Sequence, residues 1–203
     1  MLCMGEISPQ LADNETWVDQ TFEKCDDILH RQVYLGQGRQ EGLLVYVEVA
    51  VSNLMLEEHV IGLSDVQPLK SYEEGKAALL AGNGLLFLDG DTNCYKISSK
   101  GYPGLGVKKA ENEKVIRGSQ EAFTESEKIN VALIRKRLRD SRMKVEEQTV
   151  GVRSHTMTAL VYMEDLIYQG LLTTMKQQLQ QYEIDGILDS GMLEQLSEKH
   201  WLS

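Results

Sequence analysis

Arg31–Glu48, RQVYLGQGRQEGLLVYVE, and Glu147–Glu164, EQTVGVRSHTMTALVYME, carry the same pattern. Laid together without gaps, Gln32 matches Gln148, and Leu44-Val45-Tyr46 with Glu48 match Leu160-Val161-Tyr162 with Glu164. Each copy reads as a short strand, a polar turn and an apolar strand rich in β-branched and aromatic residues. A helix follows each: Asn53–Ile61 after the first, and after the second a stripe of Leu172, Met175, Leu179 and Tyr182 at helical spacing. The first half returns to strand at Leu85–Asp89 after a short helix, Glu73–Leu80, and hairpins through Gly90-Asp91-Thr92-Asn93 into Cys94–Ile97. The second half returns at Ile184–Leu188 and closes with a helix, Met192–Lys199.

This unit, twice repeated, predicts an α/β fold of two small subdomains, each a mixed β-sheet packed with helices. Gly, Pro and charge replace apolar periodicity at Lys100–Glu113, KGYPGLGVKKAENE, which reads as the boundary. The first subdomain is placed at residues 1–112, with its opening stretch partly irregular, and the second at 113–203. A junction helix at 125–139 follows the linker.

That helix lies in Val115–Arg139, VIRGSQEAFTESEKINVALIRKRLR. Thr124 and Glu127 stand at capping-box spacing, which starts the helix near Glu125. Acids at its beginning and Lys136, Arg137 and Arg139 at its end complement the macrodipole. At about 100° per residue, Ile129, Val131, Leu133, Ile134 and Leu138 span an arc of about 200°, wider than a surface stripe. Asn130 and Arg137 fall inside it. Either Arg137 snorkels to solvent and Asn130 bonds locally, or the helix is wedged between two bodies and both need partners.

The 203 residues are 42% hydrophobic and 26% charged, an ordinary globular composition that can bury a core. Lys+Arg 21 against Asp+Glu 31 leaves a net charge of -10, which argues against nucleic acid as a partner. Cys3, Cys25 and Cys94 show neither a disulfide framework nor zinc spacing, and a reducing compartment fits them best. The N-terminus lacks the basic and apolar regions of a signal peptide. No stretch approaches the ~20 apolar residues of a membrane span.

Catalytic patterns are absent. His30, His59, His155 and His200 have no metal-ligand spacing, and no cofactor is implied. The glycines at 36, 38, 101, 104 and 106 lack the strand-to-helix setting of a phosphate loop. Ser126 and Ser154 have no nucleophile-elbow signature. Glu48 and Glu164 end equivalent strands, and an enzyme reading would pair them as carboxylates across one cleft; strand-end acids are more simply solvated.

The run from Val115 to Glu164 resembles the signature segment of the A subunit of GerA-type spore germinant receptors, through Arg117, Gly118, Glu121, Phe123-Thr124-Glu125, Asn130, Leu133-Ile134-Arg135, Arg137-Leu138, Gly151, Arg153-Ser154 and Tyr162. LLAGNGLLFLDGD and IDGILDSGMLEQL are similar to family stretches too, so the resemblance covers the chain from about Gln32 onward. Ser119-Gln120 and Ala122 depart from the family's Pro-Arg and Gly. The resemblance implies a soluble, non-enzymatic N-terminal domain of a receptor subunit in the spore inner membrane, on the spore-core side. Its partners would be the B and C subunits, a second A subunit, and a small nutrient ligand bound directly or sensed through contacts. Arg117, Glu121, Glu125, Asn130, Arg135, Arg137 and Arg153 are then the candidates for inter-lobe or subunit contacts.

Overall fold

The computed structural model describes residues 5–36, 39–49, 66–98, 122–181, 185–186 and 191–192. The helix expected at Asn53–Ile61 lies outside them, as do the Lys100–Glu113 boundary and most of Ile184–Leu188 and Met192–Lys199.

The matched stretches form two β-hairpins. β1 (Ile28–Leu35) pairs with β2 (Gln40–Val47), and β6 (Met143–Val150) with β7 (Thr156–Met163). Both turns re-enter strand through a non-glycine residue with left-handed backbone, Arg39 (φ 50°) and His155 (φ 45°), at equivalent positions. The registers nonetheless differ. Leu35 faces Gln40 across the first turn, whereas Val150 faces Thr156 across the second, so four residues (36–39) close one and five (151–155) the other. One extra residue flips the first strand's faces: Gln148 shares the face of Tyr162, while Gln32 lies opposite Tyr46.

The first hairpin joins β3 (Val66–Leu69), β4 (Gly84–Leu88) and β5 (Cys94–Ile97) in a five-stranded sheet of order β1-β2-β4-β5-β3. The α/β class holds, but every described strand pair is antiparallel, not mixed as the repeat unit suggests. Connectivity is the reason. The chain between β2 and β4 does not simply cross over through one helix; it places β3 on the far edge against β5 and then returns.

Two helices cover this sheet. α1 (Leu11–Thr21) buries Asn14 and Val18. α2 (Tyr72–Leu80) starts where the Ser71 hydroxyl accepts from the Glu74 amide, while the Glu74 carboxylate accepts from the Lys70 amide. Trp17 of α1 stacks on Tyr72 at 4.5 Å and meets Phe87 edge-on at 6.2 Å. Asn14, fully shut from solvent, accepts from the Tyr72 hydroxyl and donates to the Ser8 carbonyl. A buried amide is thus satisfied on both sides.

β2 lies inside the sheet, between β1 and β4, and requires Gly42. A Cβ there would lie 2.9 Å from the Phe87 carbonyl oxygen and 3.2 and 3.3 Å from side-chain carbons of Leu86 and Leu88. Gly42→Ala is expected to lower stability by about 1–3 kcal/mol, read as a lower urea midpoint at unchanged slope.

The second sheet contains β6 and β7 among the described residues. α3 (Glu127–Arg137) packs on one face and α4 (Gln169–Gln181) on the other. On the α4 side the Glu146 carboxylate accepts from the Tyr162 hydroxyl and from Lys176 of α4. Burial works to raise the pKa of Glu146, but these two donors outweigh it and hold it below the usual carboxylate range.

Candidate functional site

The two sheets meet at α3, and its inward face mixes apolar and charged side chains. Ala132 enters the core of the five-stranded sheet, while Val131 packs with Met143 and Val145 in a separate cluster under β6 and β7. On the same face, seven residues apart, stand Lys128 and Arg135, and each meets an acid of the first hairpin. Arg135 donates from Nε and one terminal nitrogen to the two Asp27 oxygens, both at 2.8 Å. Lys128 Nζ lies 2.6 Å from Glu48 Oε1. The acids are neighbours by register: Ile28 pairs with Val47, so Asp27 and Glu48 come just outside that pair, and the Glu48 amide donates to the Asp27 carbonyl at 2.9 Å.

The two pairs differ in setting. Arg135 is fully buried and Asp27 is 4% exposed. The second terminal nitrogen of Arg135 donates to the carbonyls of Asp140 (3.2 Å) and Met143 (3.1 Å), so the guanidinium also holds the turn into β6. Burial opposes its charge, but the hydrogen bonds and charge of Asp27 outweigh that and keep its pKa above the ordinary value. Lys128 and Glu48 are partly solvated, and such a pair contributes at most about 1 kcal/mol.

Backbone closes the same junction. Cys25 forms a parallel bridge with Val145: the Asp26 amide donates to the Val145 carbonyl and the Val145 amide to the Lys24 carbonyl, both at 2.8 Å. The Glu147 amide donates to Asp26 Oδ2 at 2.7 Å. The Cys25 thiol donates to the Met143 carbonyl at 3.5 Å, and burial raises its pKa. A recess of about 10 Å³, lined by Asp27, Glu48, Lys128, Glu147 and aliphatic side chains, has room for about one water.

The structure redistributes the residues singled out above. The N-cap of α3 is Ser126, whose hydroxyl accepts from the Ile129 amide, and not Thr124. Thr124 is held outside the helix by Asn130, which accepts from its amide at 2.7 Å and donates to its carbonyl at 2.8 Å. The helix therefore starts two residues later than Glu125 and ends at Arg137, short of 139. Asn130 is half-buried and satisfied by this local loop. Arg137 is exposed and does not sit within an apolar face; Glu125 is exposed too. Leu138, counted in the apolar arc, follows the helix and is 46% exposed. Arg153 lies at the distant hairpin turn, 3.3 Å from Asp185. Arg117 and Glu121 lie outside the described residues.

Of the candidates among the described residues, Arg135 is the one placed at the buried contact between the sheets, and Asp27 and Lys128 were missed. The signal for them is a pair of cations at i and i+7 on a helix, with acids flanking both ends of a hairpin. Glu48 and Glu164 are not brought to a shared partner: Glu48 pairs with Lys128, and Glu164 lies 3.4 Å from Lys144. His30 stands between Glu15 and Asp19 of α1, and His155 occupies the second hairpin turn.

The model of the Bacillus/Clostridium GerA spore germination protein family matches residues 55–203, which include α3 and both of its β6–β7 partners. The chain belongs to the GerA spore germination protein family. Bacillus subtilis relatives include an uncharacterized membrane protein, YfkQ, 28% identical over 95% of this chain and 42% of its own length. Spore germination protein KA is 27% identical over 95% of this chain and 40% of its own. The chain thus spans about two fifths of the length of these curated relatives. Its fold is similar to the crystal structure of the N-terminal domain of the A subunit of the Bacillus megaterium spore germinant receptor GerK3. That match has a TM-score of 0.71 at 20% identity, over 98% of this chain and 82% of the other. Among the described residues no helix is long and apolar enough to cross a membrane.

Proposed function

We propose that this chain is the N-terminal portion of a germinant-receptor A subunit and works as a non-enzymatic relay. The division into residues 1–112 and 113–203 belongs to that proposal, with α3 as the element between the two halves. The observation that supports it is the double seating of α3: Arg135 grips Asp27 at the root of the first hairpin and the Met143 carbonyl at the root of the second. A shift of either sheet must move α3 or break a buried ion pair, so contacts made on one side bias the geometry of the other. On this reading the partners are the B and C subunits and neighbouring A subunits. The site of action is the spore inner membrane, with this domain on the core side.

The rival reading, a nutrient bound between the lobes, finds little room at the described junction, because small-molecule sites run to about 300–1,000 Å³ and the recess holds about one water. Spores carrying the full-length subunit with Arg135→Lys keep the charge but lose the planar fork. They should accumulate receptor normally and respond poorly to nutrient, and Lys128→Met should weaken the response in the same direction. Normal nutrient-triggered germination in both, at normal receptor level, would sink the relay.

A further inference from the structure

The acid side of the junction is overfilled. Four carboxylates converge where α3 and β6 meet the root of the first hairpin: Asp26, Asp27, Glu48 and Glu147, with Glu127 nearby on α3. Three are accommodated: Asp27 by Arg135, Glu48 by Lys128, and Asp26 by the Glu147 amide. The Glu147 carboxylate accepts no hydrogen bond from the described residues. It is half-buried on the face of β6 that points at α3, and it lines the recess that has room for about one water. Among the described residues the cation facing it is Lys128, which is committed to Glu48 at 2.6 Å.

We propose that the junction is a proton-linked latch: Glu147 seats quietly against α3 and the first hairpin when protonated, and strains that seating when ionised. The charged groups facing it are Lys128 and Glu127 from α3, Glu48 from the end of β2, and Asp26 from the segment before β1. Burial is the main influence and raises the Glu147 carboxyl; Lys128 opposes it, and Glu48, Asp26 and Glu127 add to it. A raised value in the folded chain means that the fold holds a proton the unfolded chain has released. This contribution to stability is therefore greatest below the ordinary glutamate value, near 4.3, and is lost as pH rises through the folded value.

The latch concerns the junction used in the relay reading but rests on its geometry alone, and its test contains no germination readout, so either can fail without the other. Glu147→Gln in this 203-residue chain should melt about 2–4 °C above the parent at pH 8, with the gap narrowing as pH falls towards 4.5. Lys128→Met should lower the melting temperature more at pH 8 than at pH 4.5. Amide exchange at Asp26 and Val145, corrected for the chemical rate, should slow from pH 8 to pH 5 in the parent and not in Glu147→Gln. A Glu147→Gln gap that is independent of pH or of opposite sign overturns the latch. So does amide protection with the same pH dependence in both proteins.

Discussion

Replacing Arg135 by alanine is expected to remove about 3–5 kcal/mol of stability. Most of that loss comes from what stays behind. Asp27 is 4% exposed and would keep a charge that the fold no longer pairs or lets water reach. The carbonyls of Asp140 and Met143 would lose their donor as well, loosening the turn into β6. Removing both charges together should behave differently. Asp27→Leu with Arg135→Met leaves no stranded ion, and replacement of a buried pair by apolar groups of similar volume is commonly neutral or stabilising. Urea unfolding of both single variants and the double variant measures the coupling. A loss below about 1 kcal/mol for Arg135→Ala would mean that the pair is better hydrated than its burial indicates.

Phe87→Ala should cost a similar amount, about 3–5 kcal/mol, by a different route. Phe87 is 1% exposed on β4 and meets Trp17 edge-on, so truncation empties space that α1 and the sheet cannot both refill. Trp17 also stacks on Tyr72 and meets Phe22, which ties the loosened site to both covering helices. The expected signature is a lower urea midpoint with a weakened near-ultraviolet signal from the aromatic cluster. Phe87→Leu, closer in volume, should lose less. An unchanged midpoint for the alanine variant would show that the cluster repacks without a cavity.

Much of the fold was legible because its elements announce themselves locally. Both hairpins, the helix before β4, the β4–β5 turn and the α4 stripe follow from alternation, turn chemistry and helical spacing. Strand direction was less accessible, because it depends on where the chain goes between β2 and β4 rather than on any residue within a strand. The register of the second hairpin was also hidden, since a gapless match places residues in line whether the turn closes over four of them or five.

The site was legible mainly at Arg135, and for an instructive reason. Hydrophobic periodicity looks for an apolar face, but the inward face of α3 carries Lys128 and Arg135 beside Ala132. Their acids lie 80 and 108 residues upstream. Burial there is decided by charge pairing across the chain, which no local window contains. Thr124 misled for a related reason: Asn130 claims its backbone, and the cap passes to Ser126.

The bridge at Cys25 gives the junction a mechanical character. Two hydrogen bonds converge on the single residue Val145, and the Arg135–Asp27 fork is their neighbour. Sliding one sheet past the other would stretch all of these bonds at once, whereas rotation about Val145 strains each of them only slightly. The joint should therefore be stiff in shear and compliant in torsion, behaving as a pivot pin rather than a sliding track.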